Sequence, residues 1–324
     1  MNRENIGIIG AGAIGSILAA YLGKAGHEVH VVDIKEDIVD AINELGIKIS
    51  GVMELHSIVS KAVTSFAQLD ELGPDYIFIC VKAYVLPAIL EDLCSLDNSK
   101  RAFVSFQNGL GILKLLGNCL HNENLFRAVV NYAGIPTRPG HIQATFFHPP
   151  NYIGCNEDAG PETIEIAKKI SSFLTDAGLE TEFTREIKKM VWQKTILNSA
   201  LMPTSVLTRL SMNKIMSIPE TREIIEEHIQ ECLDVAEAEG YVYEKDFKEK
   251  AVRYLSTAGE HKTSMLLDFE AGNPIELDFL NARIQEYAEK HGISCRQNKL
   301  MLSLIKGLLH HRQATKNAGN KTKK

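Results

Sequence analysis

Short apolar runs separated by helix-like windows fill the first half of the chain. Asn5 to Ile9 predicts a buried strand, Ile14 to Gly23 has helical composition, and Glu28 to Val32 is a second, β-branched run. That order predicts a β-α-β unit. Tyr76 to Val81 and Ala102 to Phe106 predict further buried strands, followed by helices near Leu86 to Leu93 and Ile112 to Leu120. Leu125 to Val130, His141 to Phe147 and Asn151 to Gly154 predict later strands, with Gly134, Pro136, Pro139 and Gly140 marking turns. Pro161 to Ala177 reads as a helix and Glu180 to Phe183 as a last strand. Strands alternating with helices imply an α/β fold, a doubly wound and mostly parallel sheet with helices on both faces.

From Arg185 the strand signals almost vanish. Helical windows run through Glu186 to Leu201, Pro219 to Glu239, Glu244 to Ala258, Leu277 to His291 and Gln297 to His311. The pattern therefore predicts an α/β domain over residues 1–184, an all-helical domain over residues 185–312 and a polar, lysine-bearing tail without structure over residues 313–324.

Composition narrows the function classes. A chain of 324 residues that is 45% hydrophobic can bury two cores, which agrees with the two predicted domains. A net charge of −6 offers no broad basic field, so nucleic acid is excluded as an expected partner and a small molecule preferred. Six cysteines without a C-x-x-C pair suit reduced thiols used in packing, and no H-E-x-x-H, Walker A lysine loop or G-x-S-x-G elbow is present. No metal site is expected. The uncharged stretch Ile6 to Gly23, about 18 residues, is long enough to suggest a membrane span or signal peptide. Its glycines and the offset of Arg3 by Glu4 argue for a soluble, cytoplasmic protein instead.

The sharpest local signal is Gly10-Ala11-Gly12-Ala13-Ile14-Gly15, a G-x-G-x-x-G run between a predicted strand and a predicted helix. In a Rossmann-type dinucleotide site the first glycine makes the turn, the second lets backbone approach a pyrophosphate, and the third allows close helix packing. Asp33 follows the second strand where an acidic residue accepts hydrogen bonds from the adenosine ribose and repels a 2′-phosphate. It favours NADH, although Lys35 could greet that phosphate and Asp33 could be a solvated turn residue. In the predicted helix beyond residue 185, Lys194 and Asn198 are four apart and share one face; alone, that is a surface lysine beside an amide.

Taken with that loop, Val81-Lys82-Ala83, Gln107-Asn108-Gly109, Trp192-Gln193-Lys194, Ser264-Met265-Leu266 and Ile275-Glu276-Leu277-Asp278 resemble the ketopantoate reductase (2-dehydropantoate 2-reductase) family, in order and over nearly the whole chain. The resemblance implies a Rossmann domain followed by a helical domain, with the active site in the cleft between them. It implies reduction of 2-ketopantoate to pantoate by NADH or NADPH, with Lys194 as general acid and Glu276 assisting both substrate and cofactor binding and orienting the lysine. Asn108 is implied to contact the nicotinamide ribose and substrate, Lys82 to lie near the cofactor, and Ser264 and Asn198 to hold the substrate. A homodimer is compatible with this reading.

Two positions depart from the family pattern. Met202 precedes Pro203 where the family commonly has a second asparagine, so the substrate pocket is expected to lose a polar contact and accept a more apolar 2-oxo acid, unless Met202 is simply a core residue. Asp33 stands where members using NADPH usually carry a basic residue. The open alternatives are a reductase of another 2-oxo acid, a 3-hydroxyacid dehydrogenase, and an NAD(H) sensor without turnover.

Overall fold

The computed structural model describes residues 3–96, 101–257 and 259–321, of which 316–321 as backbone alone. The chain divides into two compact units, Met1–Val191 and Trp192–Lys324, a division that falls within one helix, Ile187–Thr208.

The first unit is built on an eight-stranded sheet. In spatial order its strands are Thr181–Phe183, Asn151–Gly154, Leu125–Val129, Ala102–Ser105, Tyr76–Ile79, Asn5–Ile9, Glu28–Val32 and Lys61–Val63. The six from Lys61–Val63 across to Leu125–Val129 are parallel, and Asn151–Gly154 runs antiparallel to its neighbour. The apolar runs are strands because both faces of this sheet are covered: Tyr76–Ile79 and Ala102–Ser105 are buried at every position. Phe78, fully buried, stacks at 6.3 Å against Phe173 of the helix Pro161–Asp176 and lies 5.1 Å from Phe106. Strand order reverses between Asn5–Ile9 and Tyr76–Ile79, and such a switch point is where open α/β sheets form a ligand crevice at their carboxyl ends.

A second sheet of four strands, ordered Leu55–Ser57, Ile47–Gly51, His141–Phe147 and Tyr132–Arg138, was only one-quarter visible in the hydrophobic pattern. Gly134 and Pro136 read as turn residues, yet both lie inside Tyr132–Arg138; that strand is at the sheet edge, where a missing N–H costs no ladder bond. Ile47–Gly51 and Leu55–Ser57 do alternate, with Lys48, Ser50 and His56 on the outer face, but over so few residues that the period does not stand out.

In the second unit the described residues form helices Met212–Ser217, Pro219–Ala238, Phe247–Ser256, Ser264–Glu270, Asn281–His291 and Arg296–Lys321, with a 3₁₀ turn at Glu276–Phe279. Two short helices, Met212–Ser217 and Ser264–Glu270, are additional to the predicted windows. The tail expected without structure is helical as far as Lys321: Gln313, Ala314 and Lys316 are good helix formers, and proline is absent after Pro274. Residues 322–324 lie outside the described residues.

Replacing Phe78 by Ala removes a fully buried side chain between the sheet and the helix Pro161–Asp176. We expect the unfolding free energy from urea titration to drop by about 3–5 kcal/mol, with the denaturant slope unchanged.

Candidate active site

The predicted cofactor loop lies at the carboxyl end of the first strand. Gly10 has a φ of +100°, accessible to glycine at little cost, and a side chain there would meet Val81 Cγ1 at 2.9 Å. At Gly15 a Cβ would overlap the Gly10 carbonyl oxygen, so only glycine lets the helix Ala13–Lys24 sit this close to the strand. Gly12 differs: its φ of −69° suits any residue, and a Cβ there would meet nothing within 4 Å. Open space in front of Gly12, at a helix N-terminus begun by Ala13 and Ile14, fits the place of a pyrophosphate.

Asp33 is half-buried at the end of the second strand. Its Oδ2 accepts from the Ala11 N–H at 2.9 Å and its Oδ1 from the Lys35 N–H at 3.1 Å. The carboxylate ties the strand to the glycine loop, which the sequence reading did not anticipate. Lys82 is half-buried and precedes the 3₁₀ turn Ala83–Val85. Cys80, two residues earlier, is half-buried, and desolvation pushes its thiol well up.

Asn108 follows the strand Ala102–Ser105 and is half-buried between buried Gln107 and Gly109. Three buried side chains hold its turn. Arg127 donates from Nη2 to the Gln107 and Gly109 carbonyls, and from Nη1 to the Ser105 carbonyl at 3.1 Å and Ser105 Oγ at 3.2 Å. Ser105 Oγ donates to Gln107 Oε1 at 2.7 Å, and Gln107 Nε2 donates to the Ile79 and Val81 carbonyls at 2.8 and 3.0 Å. Because C=O and N–H of a trans peptide point opposite ways, pulling the Gln107 and Gly109 carbonyls inward turns the Asn108 and Leu110 N–H groups outward. Sequence reasoning passed over Arg127; the available signal was a lone cation inside the apolar run Leu125 to Val130. Glycine loop, Asp33, Lys82 and Asn108 thus all sit at one end of the parallel strands.

In the second unit, Lys194, Asn198 and Met202 follow one another at four-residue spacing on the helix Ile187–Thr208, each half-buried. The Asn198 Nδ2 is buried with no hydrogen-bond partner. Ser264 opens the helix Ser264–Glu270, whose N-cap Thr263 accepts from the Leu266 N–H at 3.2 Å. Glu276 is buried at the start of its 3₁₀ turn. One apolar cluster gathers these segments: Met202 packs against a core that includes Met265 and Leu266 next to Ser264, and Ile275 and Leu277 on either side of Glu276. Among the described residues no group of three or more His, Cys, Asp and Glu could hold a metal ion, and no helix is long and apolar enough to cross a membrane.

Residues 6–158 match the family described as ketopantoate reductase PanE/ApbA, and residues 186–309 match its C-terminal part. The chain belongs to the ketopantoate reductase family. It is thereby an oxidoreductase of the nicotinamide-dependent class acting on CH–OH groups. A 2-dehydropantoate 2-reductase of Pyrococcus horikoshii is 30% identical over 305 residues, 92% of this chain and 95% of that protein. One from Archaeoglobus fulgidus is 26% identical over 308 residues, 95% of this chain and 99% of its own length. Among solved structures, the ternary structure of D-mandelate dehydrogenase with NADH and anilino(oxo)acetate superposes with a TM-score of 0.83 at 21% identity, covering 96% of this chain and 99% of that one. At that identity the likeness is one of fold.

A Gly12→Ala variant tests the open space before the loop. We expect an unchanged thermal midpoint, because the backbone there suits alanine, together with NADH binding about tenfold weaker or worse by fluorescence titration, a loss of about 1.4 kcal/mol.

Proposed function

We propose that this protein reduces 2-ketopantoate to pantoate with NADH or NADPH. The observation that carries the reading is the helix face of Lys194 and Asn198, where a lysine stands one turn from a buried amide donor lacking a partner. Buried polar groups are nearly always paired, so an orphaned amide beside a lysine suits a polar substrate. The ketopantoate reductase matches over both units support the same reaction.

The bound nicotinamide supplies the hydride. Lys194 holds the proton on Nζ and gives it to the ketone oxygen as alkoxide charge develops, a contribution of about 10²–10⁴-fold for a positioned general acid. Glu276 orients that ammonium and contributes to cofactor and substrate binding. Asn198 and Ser264 hold the substrate, Asn108 contacts it and the nicotinamide ribose, and Lys82 lies near the cofactor. Gly10 to Gly15 hold the pyrophosphate. Asp33 accepts from the adenosine ribose with the lone pairs left by its two backbone bonds and disfavours a 2′-phosphate, so NADH is the preferred donor.

A second reading is favoured by Met202. A thioether on the Lys194 face removes one polar contact, which would steer selection toward a more apolar 2-oxo acid, and the same fold carries D-mandelate dehydrogenase.

A kinetic matrix of 2-oxo acids against NADH and NADPH separates these readings. Ketopantoate should stand among the best substrates; its place among the poorest, behind apolar 2-oxo acids, transfers the assignment to the second reading. Turnover of 3-hydroxy acids alone, or of nothing, overturns both. Lys194→Ala should cut kcat by about 10²–10⁴-fold while leaving the NADH Kd within about twofold, and a near-normal kcat removes the lysine from its role. Asp33→Arg should erode the NADH preference, and a wild-type enzyme that strongly prefers NADPH contradicts the role given to Asp33.

A further inference from the structure

The helix Ile187–Thr208, which carries Lys194 and Asn198, contains Pro203. A proline inside a helix has no N–H for the carbonyl four residues earlier, here that of Ser199. In this protein the missing donor comes from elsewhere: Asn281 Nδ2 donates to the Ser199 carbonyl at 2.9 Å. Asn281 is fully buried and opens the helix Asn281–His291, five residues after Glu276. The bond therefore pins the Glu276 segment to the lysine helix at the carbonyl that proline leaves open.

Asn281 is itself held. Its Nδ2 also donates to Asn298 Oδ1 at 3.0 Å, and Asn298 Nδ2 donates back to the Asn281 carbonyl at 3.0 Å. His228 Nε2 lies 3.1 Å from Asn298 Oδ1, and Glu231 accepts from the Asn298 and Gln297 N–H groups at the start of the helix Arg296–Lys321. Asn298 and His228 are both fully buried. Orienting one amide by a second, which is anchored to two further helices, goes beyond satisfying a single carbonyl.

We propose that Asn281, oriented by Asn298, is a positioning residue that sets Glu276 relative to Lys194. The proposal rests on the roles given above to those two side chains. It assigns Asn281 no contact with substrate or cofactor. Its effect on turnover runs through the distance between the carboxylate segment and the lysine helix, where a misplacement of about 1 Å can cost on the order of 100-fold in rate.

The test is a double-mutant cycle of Asn281→Ala with Pro203→Ala in the full-length protein, reading the thermal midpoint, the NADH Kd and kcat with 2-ketopantoate. Pro203→Ala restores a helical N–H to the Ser199 carbonyl. Asn281→Ala alone should lower the midpoint and reduce kcat by about 10–100-fold with the NADH Kd within about twofold. Adding Pro203→Ala should recover part of the midpoint, the bond to Asn298 Oδ1 staying lost, and leave kcat low. If kcat recovers along with the midpoint, Asn281 only completes a helix hydrogen bond and the positioning role is wrong. An Asn281→Ala variant with normal kcat also overturns it. Should Asn281→Ala fail to fold, the double variant compared with Pro203→Ala alone gives the same decision. Lys194→Ala is run in parallel: near-normal turnover there defeats the general-acid reading, and a low kcat there with a normal one in Asn281→Ala defeats only the positioning role.

Discussion

The approach of the helix Ala13–Lys24 to the first strand, closed at Gly15 against the Gly10 carbonyl, sets the geometry of the first unit. No side chain fits between them, so the helix N-terminus is delivered to the point where strand order reverses. Gly10 meets Val81 in the same crowding, which carries the constraint across to the next strand and its Lys82 turn. The neighbouring Asn108 turn is brought in by Gln107, whose amide binds the Ile79 and Val81 carbonyls. Three loops from three strands are thus fixed by contacts that begin at one glycine.

Both units solve a shared problem of backbone accounting. Where a turn leaves its strand, or a proline interrupts a helix, a backbone carbonyl loses its regular partner, and an unpaired buried carbonyl costs about 1–3 kcal/mol. In the first unit the solution is a cation, Arg127, which reaches the carbonyls of residues 105, 107 and 109. A planar guanidinium suits the task because its donors spread in a fixed fork. In the second unit it is an amide, Asn281, offered to one carbonyl.

What was legible in the sequence follows from the same physics. Strands buried on both faces announce themselves as continuous apolar runs, so Tyr76–Ile79 and Ala102–Ser105 were visible. Gly10 and Gly15 were legible because each answers a steric demand within the protein, whereas Gly12, which has nothing within 4 Å, was read from the spacing of the motif. Half-exposed strands such as Ile47–Gly51 were not, since the alternation of Ile47 and Ile49 with Lys48 and Ser50 spans only four residues before Gly51. The buried polar networks were also hidden: Arg127, Asn281 and Asn298 act mainly on carbonyls 17 to 82 residues away, a separation that no local pattern encodes. The helix face of Lys194, Asn198 and Met202 could be drawn from spacing alone, whereas the core that gathers Met202 with the neighbours of Ser264 and Glu276 is tertiary.

Asp33 carries a consequence for how cofactor choice could drift over generations. Its two oxygens already accept the Ala11 and Lys35 N–H groups, so the carboxylate proposed to read the adenosine ribose is also a strut for the glycine loop. A charge reversal that welcomed a 2′-phosphate would simultaneously orphan the Ala11 amide. In that proposed role, exchanging one dinucleotide for the other is a two-step path through a weakened intermediate, in which a new acceptor for Ala11 must arise before or alongside the basic residue.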